Sequence, residues 1–498
     1  MNAPIVNVPT GIIQPNNDLF REAMECVEGL HLDGGGLDVF DPASRKVIAA
    51  VPDHSEEDVI FALNRAFDSG QAWRCQSPRT RGEALRNWYD LLVENAESLA
   101  RLLSIEAGKT LPDARAEVRY GCDFVRWYSE EVYRIGGVSR GLPDGGGQIV
   151  ERRSPVGLSV LITPWNFPFA MATRKIAPAI AAGCSAVIKP AAETPISTYF
   201  IMLLAVAAGI PDGLVEVVST SRPQIFSDIA LGDERVRKLS FTGSTEVGRS
   251  LSKMASERVL RTSLELGGNA PFIVFDDADL DKAIEGAFSA KLRNGGQSCI
   301  AANRFYLQDG IADDFVAGLS SRFSNAVVGH GLGDSVDVGP LISSSSVKKM
   351  VSFVDDAVRN GGEIVCGGEE VGQVGSFFAP TLIDNVPDSA LMMSCEVFGP
   401  VAPIQRFSSE SEVIVKANGT DYGLAAYVFS ENLDRAYRVS DSLESGVVGI
   451  NQGVPSNAIA PFGGVKASGL GREGGDQGIE EYLNVRFYNV FQGHRSLR

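Results

Sequence analysis

The sequence predicts an α/β protein built around a doubly wound parallel sheet, with a second α/β unit behind it. From residue 158 onward, short β-branched runs alternate with longer helical stretches: LSVLIT, ATRKIAPAIAAG, SAVIK, ISTYFIMLLAVAAG, LVEVV, then RKLSF before TEVGRSLSKMA. That alternation is the mark of βαβ units. Gly183 and Gly209 fall after helical stretches and Pro195 falls near a helix start, where chain punctuation belongs. With 498 residues, 44% hydrophobic and 21% charged, the chain suits two or three domains of roughly 100 to 200 residues each. A disordered or fibrous chain is excluded on the same composition.

Taken in order, EEDVIFALNRAFDSG, RGEALRNWYDLLVENAESLARLLSIEAG and ARAEVRYGCDFVRWYSEEVYRIG have apolar positions three or four apart and read as amphipathic helices flanking the first sheet. GLPDGGGQIVERRSPVG, glycine-rich and then alternating, reads as a projecting hairpin. A second α/β series starts near PFIVF, with helices around ADLDKAIEGAFSAKL and VKKMVSFVDDAV and strands RFYLQ, AYVFS and GVVGIN. The boundary between the two series is placed near Gly267–Gly268. EEYLNVRFYNVF is an alternating aromatic strand. The expected organisation is a cofactor-type domain over 1–137 and 154–266 and a catalytic-type domain over 267–480, whose C-terminal part can return to the first. Residues 138–153 and 481–498 are expected to be oligomerisation strands, since exposed strands of this kind pair with another subunit. A homodimer or homotetramer follows.

Lys plus Arg number 45 against 62 Asp plus Glu, a net charge of −17 that repels nucleic acid and anionic lipid. The longest apolar stretch, Tyr199 to Ile210, is too short for the roughly 20 residues that span a bilayer, and MNAPIVNVPT lacks the pattern of a signal peptide. A cytoplasmic protein with no membrane or nucleic-acid partner is expected. Seven cysteines (Cys26, Cys75, Cys122, Cys184, Cys299, Cys366, Cys395) lie scattered without a C-x-x-C pair, which fits neither a disulfide framework nor a zinc site. The four histidines (His31, His54, His330, His494) form no metal or nucleophile motif, so no metal is expected and a general base is a carboxylate.

The segment with most chemistry is NGGQSCIAAN, which sets Cys299 in a glycine-flanked turn. A free cysteine is ordinarily a small buried hydrophobe. Here the glycines let backbone approach a ligand, and the Cys299 N–H faces a charge formed at the sulfur's target.

Beyond this point the chain resembles the NAD(P)-dependent aldehyde dehydrogenase superfamily over nearly its whole length, through TPWNFPF (163–169), KP (189–190), FTGSTEVG (241–248), LELGG (264–268), GQSC (296–299), EVFGP (396–400) and PFGGVKASGLGREGG (461–475). The resemblance implies an aldehyde dehydrogenase-like fold with a small β oligomerisation element. It also implies that Cys299 is the nucleophile, Asn166 the oxyanion donor together with the Cys299 N–H, and Glu265 the base for thioester hydrolysis. Thiolate attack on an aldehyde gives a thiohemiacetal whose collapse expels hydride to a nicotinamide, leaving a thioester that water cleaves. Thr163, Pro164, Trp165, Lys189, Gly243, Ser244, Gly267, Glu396 and Phe398 are the implied cofactor contacts, with Ser244 opening a helix whose free N–H groups suit a pyrophosphate.

The cofactor is NADP or NAD. Relatives selective for NAD often carry a glutamate three residues after the lysine, and this chain has Ala192 there with Glu193 one place later. Without a carboxylate at that place the 2′-phosphate meets no repulsion, so NADP is expected to be accepted and is a candidate for the preferred cofactor. Glu193 is the residue that could still reach the ribose. Within the superfamily the chain is most similar to succinate-semialdehyde dehydrogenases. That similarity implies Arg174 and Arg293 as ligands of the substrate's far carboxylate, assisted by Ser456 and Asn457, and arginine suits the task through two parallel bonds. Three readings compete: a neutral or aromatic aldehyde as substrate, coenzyme A as acyl acceptor, and a non-catalytic binding protein on the same scaffold. Retention of Glu265 opposes the second, and the presence of Cys299, Asn166 and Glu265 together opposes the third.

Overall fold

The computed structural model describes residues 16–30 and 35–491; His31, His494 and residues 492–498 of the expected C-terminal strand segment lie outside that range, as does the Cys26 side chain. Six strands form the first large sheet, in spatial order Gly469–Leu470, Arg261–Glu265, Val236–Thr242, Leu158–Ile162, Ala186–Lys189 and Val215–Val217. All neighbours are parallel except Gly469–Leu470 against Arg261–Glu265. Leu158–Ile162 and Ala186–Lys189 are buried at every position, which is why they read as unbroken apolar runs: helices cover both faces of a parallel strand. From Leu158–Ile162 the chain winds outward through Ala186–Lys189 and Val215–Val217, then returns to Val236–Thr242 on the other side. The crevice where strand order reverses therefore opens beyond Ile162 and Thr242, the usual ligand position in an open α/β sheet.

The chain leaves this sheet at Glu265 and enters a seven-stranded one at Ala270. Its order is Glu363–Cys366, Thr381–Asp384, Val401–Phe407, Ala302–Gln308, Ala270–Val274, Ala425–Phe429 and Val447–Ile450, parallel apart from the first pair. The segment Gly469–Leu470 and the helix Gly475–Glu480 then return to the first sheet, where that helix packs on Pro168–Ala182.

A third, antiparallel sheet joins Leu483–Phe491, Gly147–Pro155 and Ser139–Gly141. The two long strands expected to reach another subunit thus pair first with each other, in register from Leu483↔Pro155 to Phe491↔Gly147. Two further differences from the sequence reading concern the N-terminal third. The stretch read as one helix from Arg81 to Gly108 is two, Pro78–Glu94 and Ala96–Ala107, broken at Asn95 (φ −98°, ψ 14°), whose Nδ2 donates back to the Leu91 carbonyl at 2.8 Å. Asparagine competes for helix carbonyls in this way. The helix Asn17–Glu28 and the hairpin of Gly35–Phe40 with Val47–Pro52 have no counterpart in the reading above. No helix among the described residues is long and apolar enough to cross a membrane.

Candidate active site

A cavity of about 310 Å³ lies between the two large sheets, and its wall includes Asn166, Arg174, Arg293, Cys299, Glu396 and Phe398. Cys299 sits on the loop between helix Leu280–Leu292 and strand Ala302–Gln308. Asn294, Gly295 and Gly296 all have left-handed backbone (φ 54°, 63° and 75°). Glycine is obligatory at Gly296, where a Cβ would stand 2.2 Å from the Gly399 carbonyl, and at Gly268, where it would stand 2.3 Å from the Cys299 carbonyl. Asn294 tolerates the strained position because its side chain is locked, Nδ2 donating to the Asn166 and Gln297 carbonyls at 3.0 and 3.1 Å. Gln297 closes the loop by donating to Asn294 O at 3.2 Å and accepting from Ile342 N at 2.9 Å. Cys299 is half-buried. Burial pushes its thiol up to about 12, and the nearby Arg174 and Arg293 guanidinium groups pull in the opposite direction.

Asn166 follows the strand Leu158–Ile162 and is buried. Its Nδ2 donates to Gln297 O at 3.0 Å, which leaves one of two amide protons for a ligand. Its carbonyl accepts from Lys109 Nζ at 2.7 Å. Lys109 forms a fully buried ion pair with Glu117, and Glu117 Oε1 accepts from Phe169 N (3.0 Å) and Ala170 N (3.1 Å) at the start of helix Pro168–Ala182. A buried carboxylate thereby satisfies two orphan N–H groups and fixes the turn that carries Asn166.

Glu265 ends the strand Arg261–Glu265 and is 2% exposed. Its two oxygens have no hydrogen-bond partner among the described residues. It is not part of the cavity wall, to which its chain neighbours Leu266 and Gly267 belong. Burial and the negative charge of Glu473 raise its pKa well above the ordinary value, with Arg174 and Lys175 opposing. Glu473 is gripped by Arg174 Nε at 2.6 Å, Lys175 Nζ at 2.5 Å and Ser240 Oγ at 3.0 Å. Those cations overcome its burial and hold its carboxyl down at about 2.

Of the expected cofactor contacts, Pro164, Trp165, Gly243, Ser244, Gly267, Glu396 and Phe398 line the cavity. The Trp165 and Phe398 rings meet edge to face at 5.4 Å. Ser244 caps helix Thr245–Glu257 with its side chain. Glu396 Oε1 accepts from Gly268 N at 3.1 Å, and a Cβ on Gly267 would lie 2.8 Å from Glu396 Oε2. Burial raises the Glu396 carboxyl to about 7. Thr163 and Lys189 lie outside this wall. Thr163 is buried with its N–H on the Lys189 carbonyl at 3.1 Å, and Lys189, lowered to about 8 by burial, donates to Pro190 O at 2.8 Å. Ala192 and Glu193 border a separate cavity of about 350 Å³ beside Phe40 and Arg45. Among the four expected substrate ligands, Arg174, Arg293 and Ser456 share the wall with Cys299. Asn457 does not: it is exposed and outside the wall, with its Oδ1 accepting from Ile459 N at 3.2 Å in its own turn. Tyr120, Phe462, Ser346 and Lys349 line the wall without having been singled out from the sequence, and Lys175 and Glu473 stand behind it.

The sequence profile of the aldehyde dehydrogenase family matches residues 31–488. The chain belongs to the aldehyde dehydrogenase family. This aldehyde dehydrogenase is 44% identical over 475 residues, 95% of its length and 98% of the relative's, to the NADP(+) succinate-semialdehyde dehydrogenase of Escherichia coli (strain K12). It is 45% identical over 94% of its length, and 97% of the relative's, to a glutarate-semialdehyde dehydrogenase of Pseudomonas aeruginosa. Its fold superposes on an NADP-dependent enzyme of E. coli with a TM-score of 0.90 at 45% identity, covering 91% of this chain and 94% of the other. A betaine aldehyde dehydrogenase of Staphylococcus aureus, solved with NAD+, gives 0.92 at 33% identity, covering 96% and 99%.

Proposed function

We propose that this aldehyde dehydrogenase oxidises succinate semialdehyde, or a similar ω-semialdehyde, to the dicarboxylate with NADP or NAD. The observation that carries the reading is the single cavity in which Cys299 shares a wall with Arg174, Arg293 and Ser456. In a chain of net charge −17, two guanidinium groups beside a thiol suit an anionic aldehyde. The relatives that carry semialdehyde names, and an NADP name in one case, support the same reading.

Cys299 gives up its thiol proton to water, with Arg174 and Arg293 favouring the thiolate, and attacks the aldehyde carbon; the oxyanion so formed accepts from the free Asn166 amide proton and the Cys299 N–H. The nicotinamide cofactor, held beside Ser244, Glu396 and Phe398, would supply the acceptor for the hydride released as the thiohemiacetal collapses to the thioester. Glu265, kept basic by burial, then takes a proton from the water that cleaves the thioester. Retention of that carboxylate favours water over coenzyme A as acyl acceptor. Ser244 and the first turn of its helix, with Glu396, are the wall groups that would hold the cofactor, with Lys189 beyond the wall; a Cβ on Gly243 would stand 2.5 Å from the Phe241 ring and one on Gly267 2.8 Å from Glu396 Oε2, so neither place takes a side chain. The cofactor is assigned to the domain of residues 1–137 and 154–266, and the thiol to that of 267–480. Exposed Val485, Phe487 and Phe491 on the last strand support assembly as a homodimer or homotetramer, through residues 138–153 and 481–498, and the unpaired cysteines suit the cytoplasm.

The test is a panel of succinate semialdehyde, glutarate semialdehyde, butanal and benzaldehyde with both cofactors. The anionic aldehydes should exceed butanal at least tenfold in kcat/KM, with NADP at least equal to NAD. Equal values for butanal or a preference for benzaldehyde refute the substrate; strict NAD dependence refutes the cofactor reading.

A further inference from the structure

The cavity contains more buried donors than the two arginines and one serine account for. Tyr120 projects from the helix Leu111–Glu131 into the same wall as Arg174 and Ser456. Its hydroxyl is buried beside the Arg174 and Ser456 side chains, with no hydrogen bond of good geometry among the described residues. The Nη2 of Arg174, also buried, is likewise without one, although Arg174 Nε is ion-paired with Glu473 at 2.6 Å. Two neighbouring buried donors left open in this way are costly unless a ligand closes them. The ring itself is fixed by an edge-to-face contact with Phe124 at 4.8 Å, so the hydroxyl is aimed rather than free to swing to solvent.

We infer that Tyr120 is a specificity residue of the anion subsite, its phenol donating, beside the Arg174 guanidinium and the Ser456 hydroxyl, to the far carboxylate of the substrate. This rests on the semialdehyde reading of the same cavity. A carboxylate offers about four lone-pair sites, enough for a bidentate arginine and two hydroxyl donors together. Burial raises the phenol further above its already high pKa, so it keeps its proton and remains a donor throughout the neutral range. A neutral aldehyde of the same length has nothing to accept that proton, which makes the hydroxyl selective rather than merely adhesive.

Tyr120→Phe removes the hydroxyl and keeps the ring on Phe124. Two readouts follow: the ratio of kcat/KM for succinate semialdehyde to that for butanal, and protection of Cys299 from iodoacetamide by succinate, a non-reactive dicarboxylate. The expected result is a fall of about tenfold or more in the ratio, carried by KM, with a similar loss of protective potency. Addition of Tyr120→Trp separates fit from bonding, since an aromatic ring without a correctly placed hydroxyl should not rescue. If wild type prefers the anionic aldehyde and Tyr120→Phe leaves both readouts within twofold, the inference is overturned and the semialdehyde reading stands. If wild type shows no such preference, the semialdehyde reading fails and this assignment fails with it.

Discussion

Arg174 and Arg293 face one cavity, yet their replacement should give different results. Arg174 is 2% exposed, gripped by Glu473 at 2.6 Å, and its guanidinium lies 4.6 Å from the Phe462 ring. Arg293 is half-buried, stacks over Phe167 at 5.2 Å and has no ion pair among the described residues. Arg293→Ala should therefore cost one charge-assisted bond to an anionic substrate, about 1.5 to 3 kcal/mol, or roughly 10- to 150-fold in kcat/KM. Its effect on stability is limited to a cation–π contact of about 1 kcal/mol or less. Arg174→Gln breaks a buried ion pair, which costs about 3 to 5 kcal/mol; the low end applies because Lys175 stays on Glu473. At roughly 2 °C per kcal/mol that is a fall in Tm of about 6 °C. Arg174 favours the ionised forms of both Cys299 and Glu265, and Arg293 that of Cys299 to a smaller extent, so loss of Arg174 slows neutral aldehydes more than loss of Arg293 does. The assay is kcat/KM for succinate semialdehyde and butanal alongside thermal melts. Equal slowing of both aldehydes by Arg293→Ala, or a Tm within about 1 °C of wild type for Arg174→Gln, rules these roles out.

Two further outcomes are expected. Glu265→Gln should permit the first hydride transfer and stall thioester hydrolysis, visible in stopped flow as a burst near one NAD(P)H per site, whereas an absent burst assigns Glu265 to an earlier step. Glu396, raised to about 7, binds ribose hydroxyls best as a carboxylate, so the Kd for NADP, followed by Trp fluorescence, should rise about tenfold between pH 8 and pH 6. Lys189, lowered to about 8, becomes more fully charged over the same descent and would tighten binding to a phosphate, so the sign identifies the group; a flat profile counts against Glu396.

Which parts of this molecule can be read without coordinates follows from where the determining contacts lie. The first sheet is legible because its inner strands are buried on both faces and so consist of unbroken apolar residues. Cys299 is legible from its glycine-flanked turn, whereas Glu265 and Asn166 are legible only through the resemblance of LELGG and TPWNFPF to the family's motifs. The break at Asn95 is not, since a helical period runs straight through it and one side chain decides. Asn457 reads as a ligand from its neighbourhood, although its turn leaves it exposed and outside the cavity wall. Tyr120 is one more residue of an amphipathic helix, and the partners of Glu473 lie across the chain, Lys175 being 298 residues away. No periodicity links positions that far apart.

The long-range pairing has a chemical consequence. The motif that returns from the second sheet to the first delivers Glu473 to Arg174 and Lys175 together, and Glu473 is also the anion that most raises the neighbouring Glu265. One carboxylate thus balances the cation assigned to the substrate and sets the basicity of the group assigned to hydrolysis. A change of charge at Arg174 alters the field at Glu265 whatever the substrate, while a change at Arg293, which no carboxylate among the described residues grips, leaves that balance in place. Substrate preference is then separable from the basicity of Glu265 at Arg293 or Tyr120, although Arg293 also favours the Cys299 thiolate, and at Arg174 only by replacing Glu473 as well.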